Sequence, residues 1–365
     1  MVGITCCCES IAGARSRSGE IRKVSTMRPV IVAFVLVSFS VTACDSEWSP
    51  TLDDVLRLNH IQVKGTHNSY KLIPHELYDD EVPDDFNYGH AELDVQLAEQ
   101  GVRQLELDLF YDYERDCHNV LHAPVVDPLS TCDEFTECLE IIRRFSDEHP
   151  LHLPIFVFIE TKNSHFTPDE ADFQLEAVER AITEVFPKEQ LITPDEVRGD
   201  YDSLYEAVTE RGWPTLGKVR GRIMLVHLDG SAYRDEYTEG QTTTEGRLMF
   251  PLASADTPVL AISKIDNPIR NQERIQEWVQ KGLIVRTRSD TPGNEALTGD
   301  TTRREAAIES GAQIISTDYP VPLPDVDFVM EFEGIPHDQP GRCNPLTAPP
   351  ECYDEALDPY RADSD

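Results

Sequence analysis

The run Leu153-Pro154-Ile155-Phe156-Val157-Phe158-Ile159-Glu160 constrains the fold more than any other part of the chain. Successive strand side chains point to opposite faces, so a strand with one wet face alternates polar and apolar residues. This run does not alternate, and both of its faces must be buried. That requires covering layers on both sides, the arrangement of parallel strands connected by helices. The rest of the chain repeats the pattern. β-rich runs are predicted at Ile61–Thr66, Arg103–Phe110, Ile155–Thr161, Ile223–Leu228, Val259–Ser263, Leu283–Arg288 and Ile314–Thr317. Amphipathic stretches at Ala91–Gln100, Phe135–Glu148, Asp169–Val185, Asn271–Gly282 and Thr302–Ser310 separate them. With no linker and no internal repeat, residues 55–325 are expected to form one α/β domain, a distorted TIM (β/α)8 barrel. A doubly wound sheet is the alternative. No glycine-rich phosphate loop follows any strand, which weakens a nucleotide-binding version. After Pro324 the pattern gives way to a tail rich in Pro, Gly and Asp, residues 326–365.

The charge balance excludes some partners. Against 32 Lys and Arg stand 67 Asp and Glu, a net charge of −35. Nucleic acid and anionic lipid both repel such a chain, so no nucleic-acid partner is expected, and a monomer is. Ahead of the barrel, residues 30–41 form an apolar run preceded by Arg28, too short to span a bilayer and suited to a signal-peptide core. The run ends Val41-Thr42-Ala43-Cys44, so residues 1–43 read as a leader and lipoprotein signal and residues 44–54 as a linker. Export is expected, either anchored through an acylated Cys44 or as a plainly secreted or periplasmic protein. Met27 reads as a better start than Met1. In an exporting compartment disulfides are permitted. Cys343 and Cys352, close together in the tail, are expected to pair and staple it. Among Cys117, Cys132 and Cys138 the sequence does not choose the couple.

Four segments carry chemistry. In Gln104-Leu105-Glu106-Leu107-Asp108 the two carboxylates share one face of a buried strand, where they repel and lose hydration. A hard divalent cation would compensate them. Glu160 closes its apolar strand, at the end where barrels keep their catalytic groups, and Lys162 follows, with which it could instead simply pair. His67-Asn68 stands where the first strand runs out, and His122 follows Val120-Leu121. A lone histidine is more often structural, so His122 gains interest only if His67 faces it. His227 reads as structural, and Lys264 as a partner for Asp266.

Taken in order, GTHNSY, ELDLF, HAP, IETK, VRTRSD and STDYP, with the CNP of the tail, resemble the calcium-dependent phosphatidylinositol-specific phospholipase C family, in its secreted bacterial branch. The resemblance covers most of residues 55–355. It implies a Ca2+ cofactor held by Asn68, Glu106, Asp108 and Glu160, with His67 and His122 flanking the phosphorus of a phospholipid at a membrane surface. It further implies attack by the inositol 2-hydroxyl on phosphorus, giving diacylglycerol and an inositol cyclic phosphate. His122 would act as general acid and His67 would stabilise phosphoryl charge, with Glu160, Asp108 or His67 as the base. Lys162, Arg286 and Arg288, near strand ends, are expected to meet phosphate or ring hydroxyls or to be ion-paired, and Asp318, at the end of the last strand, to bind substrate or to orient a histidine. Two alternatives remain. One is a glycerophosphodiester phosphodiesterase on a similar barrel, whose opening His-Arg pair is here His-Asn. The other is a non-catalytic calcium-binding surface lipoprotein.

Overall fold

The computed structural model describes residues 51–78, 81–162 and 175–358. The leader, Cys44, the start of the helix expected over Asp169–Val185 and the last residues of the tail lie outside them. Among the described residues the strands, in chain order, are β1 (Ile61–Thr66), β2 (Val102–Asp112), β3 (Cys117–Val120), β4 (Ile155–Thr161), β5 (Leu191–Ile192), β6 (Ile223–His227), β7 (Phe250–Pro251), β8 (Ile262–Lys264), β9 (Ile284–Arg288), β10 (Ile314–Thr317) and β11 (Arg342–Cys343). The parallel order runs β5-β6-β4-β2-β1-β10-β9-β8. The free edge of β6 is shared, by β5 against Ile223 and Met224 and by β7 against Val226 and His227. A single parallel bridge, Leu252 to Ile262, then carries the sheet from β7 to β8. The expected barrel therefore closes, with one of its eight staves split between two fragments of two residues each. That split is the distortion.

Alternation sorts the side chains. Leu105, Leu107 and Leu109 of β2 and Ile155, Val157 and Ile159 of β4 pack with Phe135, Leu139 and Ile142 of the helix Phe135–Glu148 and with Val178 and Ile182 of the helix Leu175–Val185. The opposite stripe, Phe156 and Phe158 of β4 and Met224 and Val226 of β6, packs with Ile61 and Val63 of β1 inside the barrel. On this inner stripe β4, β9 and β10 run from apolar to polar. Phe158 gives way to Glu160, Ile284 to Arg286 and Arg288, and Ile314 to Ser316. The lower interior is thus a dry core and the polar groups collect at the C-terminal ends of the strands, where a TIM barrel presents its chemistry.

Three differences from the predicted elements have simple causes. β3 pairs antiparallel with the extended end of β2, Leu109 opposite Val120; its residues Cys117-His118-Asn119 lack β-branched or aromatic character. β8 begins at Ile262 rather than Val259, because Val259, Leu260 and Ala261 are buried in the core without entering the parallel ladder. The helix expected from Asn271 starts at Pro268, capped by Asn267 Oδ1 accepting from the Arg270 amide at 3.0 Å. Asn before Pro is an entry signal that the apolar periodicity alone did not locate.

The C-terminal segment returns beneath the barrel. β11 pairs antiparallel with the start of β1, and the Cys343–Cys352 disulfide closes the tail as expected. Of the other three cysteines among the described residues, Cys132 pairs with Cys138 and Cys117 is free. Lys64, buried, donates to the carbonyls of Pro320 at 2.7 Å and His337 at 2.8 Å, tying the tail to β1.

Candidate active site

The parallel register sets Asp108 of β2 beside Glu160 of β4 and Glu106 beside Phe158. Glu106, Asp108 and Glu160 each offer an oxygen within 4.8 Å of the others. Asp108 is fully buried and neither of its oxygens accepts a well-formed hydrogen bond. Lys162 Nζ lies 3.1 Å from Asp108 and 2.9 Å from Glu160, so the pairing considered for Glu160 and Lys162 is present. Burial pushes the Asp108 carboxyl well above the usual carboxylate range; Lys162 opposes this, while Glu160 and Glu106 add to it. Three hard oxygen donors, one of them buried and unsatisfied, suit a hard divalent cation such as Ca2+ rather than a soft one.

Asn68 follows β1 with φ 47°, in the left-handed region that asparagine tolerates. Its amide nitrogen donates to Tyr88 Oη at 2.9 Å, which leaves Oδ1 as the atom to offer a cation. The next residue locks this corner to β2: the Ser69 amide donates to the Glu106 carbonyl at 2.9 Å and the Glu106 amide to Ser69 Oγ at 2.8 Å.

Both histidines are held by an aspartate at Nδ1. His67 Nδ1 lies 2.9 Å from Asp318 Oδ1, and His122 Nδ1 lies 2.7 Å from Asp127 Oδ2. A carboxylate at Nδ1 accepts a hydrogen bond from Nδ1–H and leaves Nε2 for chemistry. His67 Nε2 is 3.9 Å from Glu106 Oε1. Burial holds the His67 imidazole well below its ordinary pKa; Arg288, Arg286 and His122 push the same way, and Glu106 opposes them.

The arginines are committed inside the protein. Arg286, 1% exposed, donates to Glu106 Oε2 at 2.7 Å and pairs with Asp266. Arg288 donates to Asp318 Oδ2 at 2.7 Å. Arg288, Asp318 and His67 therefore form one chain of contacts. A guanidinium this deeply buried is tolerable only when paired in this way. Lys264 lies 3.9 Å from Asp266. His227, fully buried, faces Asp229 at 2.9 Å, and Asp229 also accepts from the Thr161 amide and hydroxyl, an arrangement that braces β4 against the end of β6.

Sequence reasoning missed Tyr88, His90, Lys71 and Asp127. Tyr88 Oη also lies 3.2 Å from His67 Nδ1, and His90 Nε2 lies 2.8 Å from the His67 carbonyl. Asp127 had a signal. It stands five residues after His122 across a Pro-Val-Val turn, closed by paired backbone hydrogen bonds between Ala123 and Asp127.

A family model described as phosphoinositide phospholipase C, Ca2+-dependent, matches residues 56–118 and 113–345. Among solved structures, the chain is similar to a calcium-dependent phosphoinositol-specific phospholipase C from a Gram-negative Pseudomonas species, with 16% identity, 74% of this chain and 92% of that one covered, and a TM-score of 0.54. It is also similar to a Ca2+-dependent phosphatidylinositol-specific phospholipase C from Streptomyces antibioticus, with 18% identity, 74% and 97% covered, and a TM-score of 0.52. At these identities the two structures speak for the fold. No curated protein matches the chain. Because the family match runs through nearly the whole barrel, the chain belongs to the Ca2+-dependent phosphoinositide phospholipase C family.

Proposed function

We propose that the protein cleaves phosphatidylinositol to diacylglycerol and inositol 1,2-cyclic phosphate, with Ca2+ held by Asn68, Glu106, Asp108 and Glu160. The observation that carries this reading is the pair of histidines, each fixed at Nδ1 by its own aspartate beside an acid cluster on the barrel's C-terminal rim. Bound Ca2+ supplies positive charge that makes the inositol 2-hydroxyl more acidic and offsets charge on the phosphoryl oxygens. His67, with its Nδ1–H donating a hydrogen bond to Asp318, accepts the 2-hydroxyl proton at Nε2. The 2-oxygen then bonds to phosphorus as the bond to the diacylglycerol oxygen breaks. His122 donates its Nε2 proton to that leaving alkoxide, and Asp127 stabilises the imidazolium beforehand. Lys162, about a quarter exposed, is placed to meet phosphate or a ring hydroxyl once a cation takes over its acids. Arg286 and Arg288 act through Glu106 and Asp318 rather than on substrate.

Plain inositol is the preferred head group, since the arginines at the rim are already spent on aspartates and glutamates. Export by the leader, with anchoring at Cys44, would bring the barrel to a membrane surface.

The test is hydrolysis of phosphatidylinositol vesicles with and without chelator, products followed by phosphorus NMR. Diacylglycerol and cyclic phosphate are expected, with activity lost on chelation and restored by Ca2+. Turnover that survives chelation would sink the metal assignment. Release of glycerol 3-phosphate from a deacylated diester, with phosphatidylinositol untouched, would replace the substrate.

A further inference from the structure

Lys71 is fully buried, three residues beyond Asn68 and off the strand ladder. Lysine is almost never fully buried without partners, because removing an ammonium from water costs several kcal/mol. Its partners here come from two segments, which also touch through the rings of Phe86 and His122, 5.9 Å apart. Nζ forms an ion pair with Asp127 Oδ1 at 3.2 Å, on the far side of the carboxylate from His122. It also donates to the carbonyls of Phe86 at 2.7 Å and Tyr88 at 2.8 Å, and lies 4.5 Å from the centre of the Tyr88 ring. From Asp127 the contacts run to His122. From Tyr88 they run to His67 and, through Asn68, to the cation site.

We infer that Lys71 is a positioning residue which sets the general acid and the cation-binding corner together, one ammonium fixing Asp127 with one side and the 86–88 segment with the other. The inference rests on the roles given above to His122 and Asn68. If Lys71 only filled space, an apolar side chain would do so at lower desolvation cost. What an apolar side chain cannot do is hold a carboxylate and two carbonyls at one point. The backbone supports the same geometry: Thr131 donates to the Tyr70 carbonyl at 2.7 Å and Leu72 to the Leu129 carbonyl at 3.3 Å, so the loop carrying Asp127 is clamped on both sides of Lys71.

The experiment compares wild type, Lys71→Met, Asp127→Asn and the double variant on two substrates. One is a short-chain phosphatidylinositol, whose alkoxide must be protonated as it leaves. The other is the p-nitrophenyl ester of inositol 1-phosphate, whose nitrophenolate leaves without a proton. On the lipid, kcat is expected to fall about 10²-fold in either single variant, with KM changed by less than about 3-fold, and the double variant to be no worse than the singles. On the nitrophenyl ester the loss should shrink to about 5-fold or less, since the acid is not needed. Calorimetric titration should show weaker Ca2+ binding for Lys71→Met and unchanged binding for Asp127→Asn. Equal losses on both substrates would reduce Lys71 to a structural residue, and unchanged Ca2+ affinity in Lys71→Met would remove its second role. Should Lys71→Met fail to fold by circular dichroism, Lys71→Arg, which keeps the charge and displaces its donors, carries the same comparison. A wild type inert toward both substrates would overturn the proposed reaction instead, and the Ca2+ titration would still decide whether Lys71 sets the cation corner.

Discussion

Asp290 shows how the site's order is kept by residues that touch neither cation nor phosphate. It is fully buried, and its Oδ2 accepts from the Asp318 amide at 2.9 Å while Oδ1 accepts from Ser289 Oγ at 2.6 Å. It therefore fixes the backbone from which Asp318 reaches His67. Burial, and then the Asp318 charge, raise its pKa from 3.8 to about 6, against the pull of Arg288. A carboxyl with a raised folded pKa holds its proton more tightly in the folded state than in the unfolded one. Its contribution to stability is complete below pH 3.8 and is lost as pH rises through about 6. The loss is at most about 3 kcal/mol, from two pKa units. Asp290→Asn can keep both contacts, with its carbonyl toward the Asp318 amide and its NH2 toward Ser289. Melting curves between pH 4 and 7 should then be flatter for the variant than for wild type. Parallel curves would show that Asp290 does not titrate there.

Among the elements, β1 and β2 approach closely enough that glycine is required at the contact. A Cβ on Gly65 would stand 2.1 Å from Gln104 Oε1 and 2.7 Å from Gln104 Cβ. The amide end could swing away; Cβ could not without moving β2, and Glu106 and Asp108 ride on β2. Gly65→Ala should therefore cost about 1–3 kcal/mol and lower Tm, and in a Gln104→Gly background, which removes the opposing Cβ, the same substitution should cost much less. A neutral Gly65→Ala melt would mean that the strands are farther apart than described. At this scale the sequence was readable wherever burial imposes a period. β1, β4 and β10 have the predicted limits: two-sided burial makes the apolar run of β4 unambiguous, and Ile61-Gln62-Val63 and Ile314-Ile315 mark the other two. β5 and β7, two residues each, are too short to hold a period and exist only because β6 offers them an edge. The same division holds at the site. Glu106, Asp108 and Glu160 were legible because acids on a buried strand stand out. Lys71 reads as an ordinary loop charge, and only the tertiary fold brings it to Asp127 and to the carbonyls of Phe86 and Tyr88.

For the molecule as a whole, the question is how a chain of net charge −35 would reach the lipid-embedded substrate proposed for it. Its long-range field opposes an anionic bilayer, and screening weakens that field within about 10 Å at 0.1 M salt. The attraction must be short-range and apolar, and the loops beside His122 offer a surface for it. Leu72, Leu77, Val125, Val126 and Leu129 are exposed there. The loops meet through Tyr78 Oη donating to the Val126 carbonyl at 3.0 Å and the Leu72 amide donating to Leu129. Val125 is 78% exposed at φ 77°, a strained conformation for a β-branched residue and one with no folding benefit while it faces water. Transferring each such side chain into lipid gains up to about 1.5–3 kcal/mol. With the phosphatidylinositol fraction of zwitterionic vesicles held constant, added phosphatidylglycerol should slow hydrolysis at low salt, and salt should restore it. Val125→Asn is a clean control for the apolar part, because asparagine adds no charge and tolerates positive φ better than valine. It should lower turnover on vesicles several-fold while leaving a monomeric short-chain substrate unaffected. Stimulation by phosphatidylglycerol at low salt, or equal loss on both substrates, would mean that the protein docks by some other face, one that overcomes its own charge.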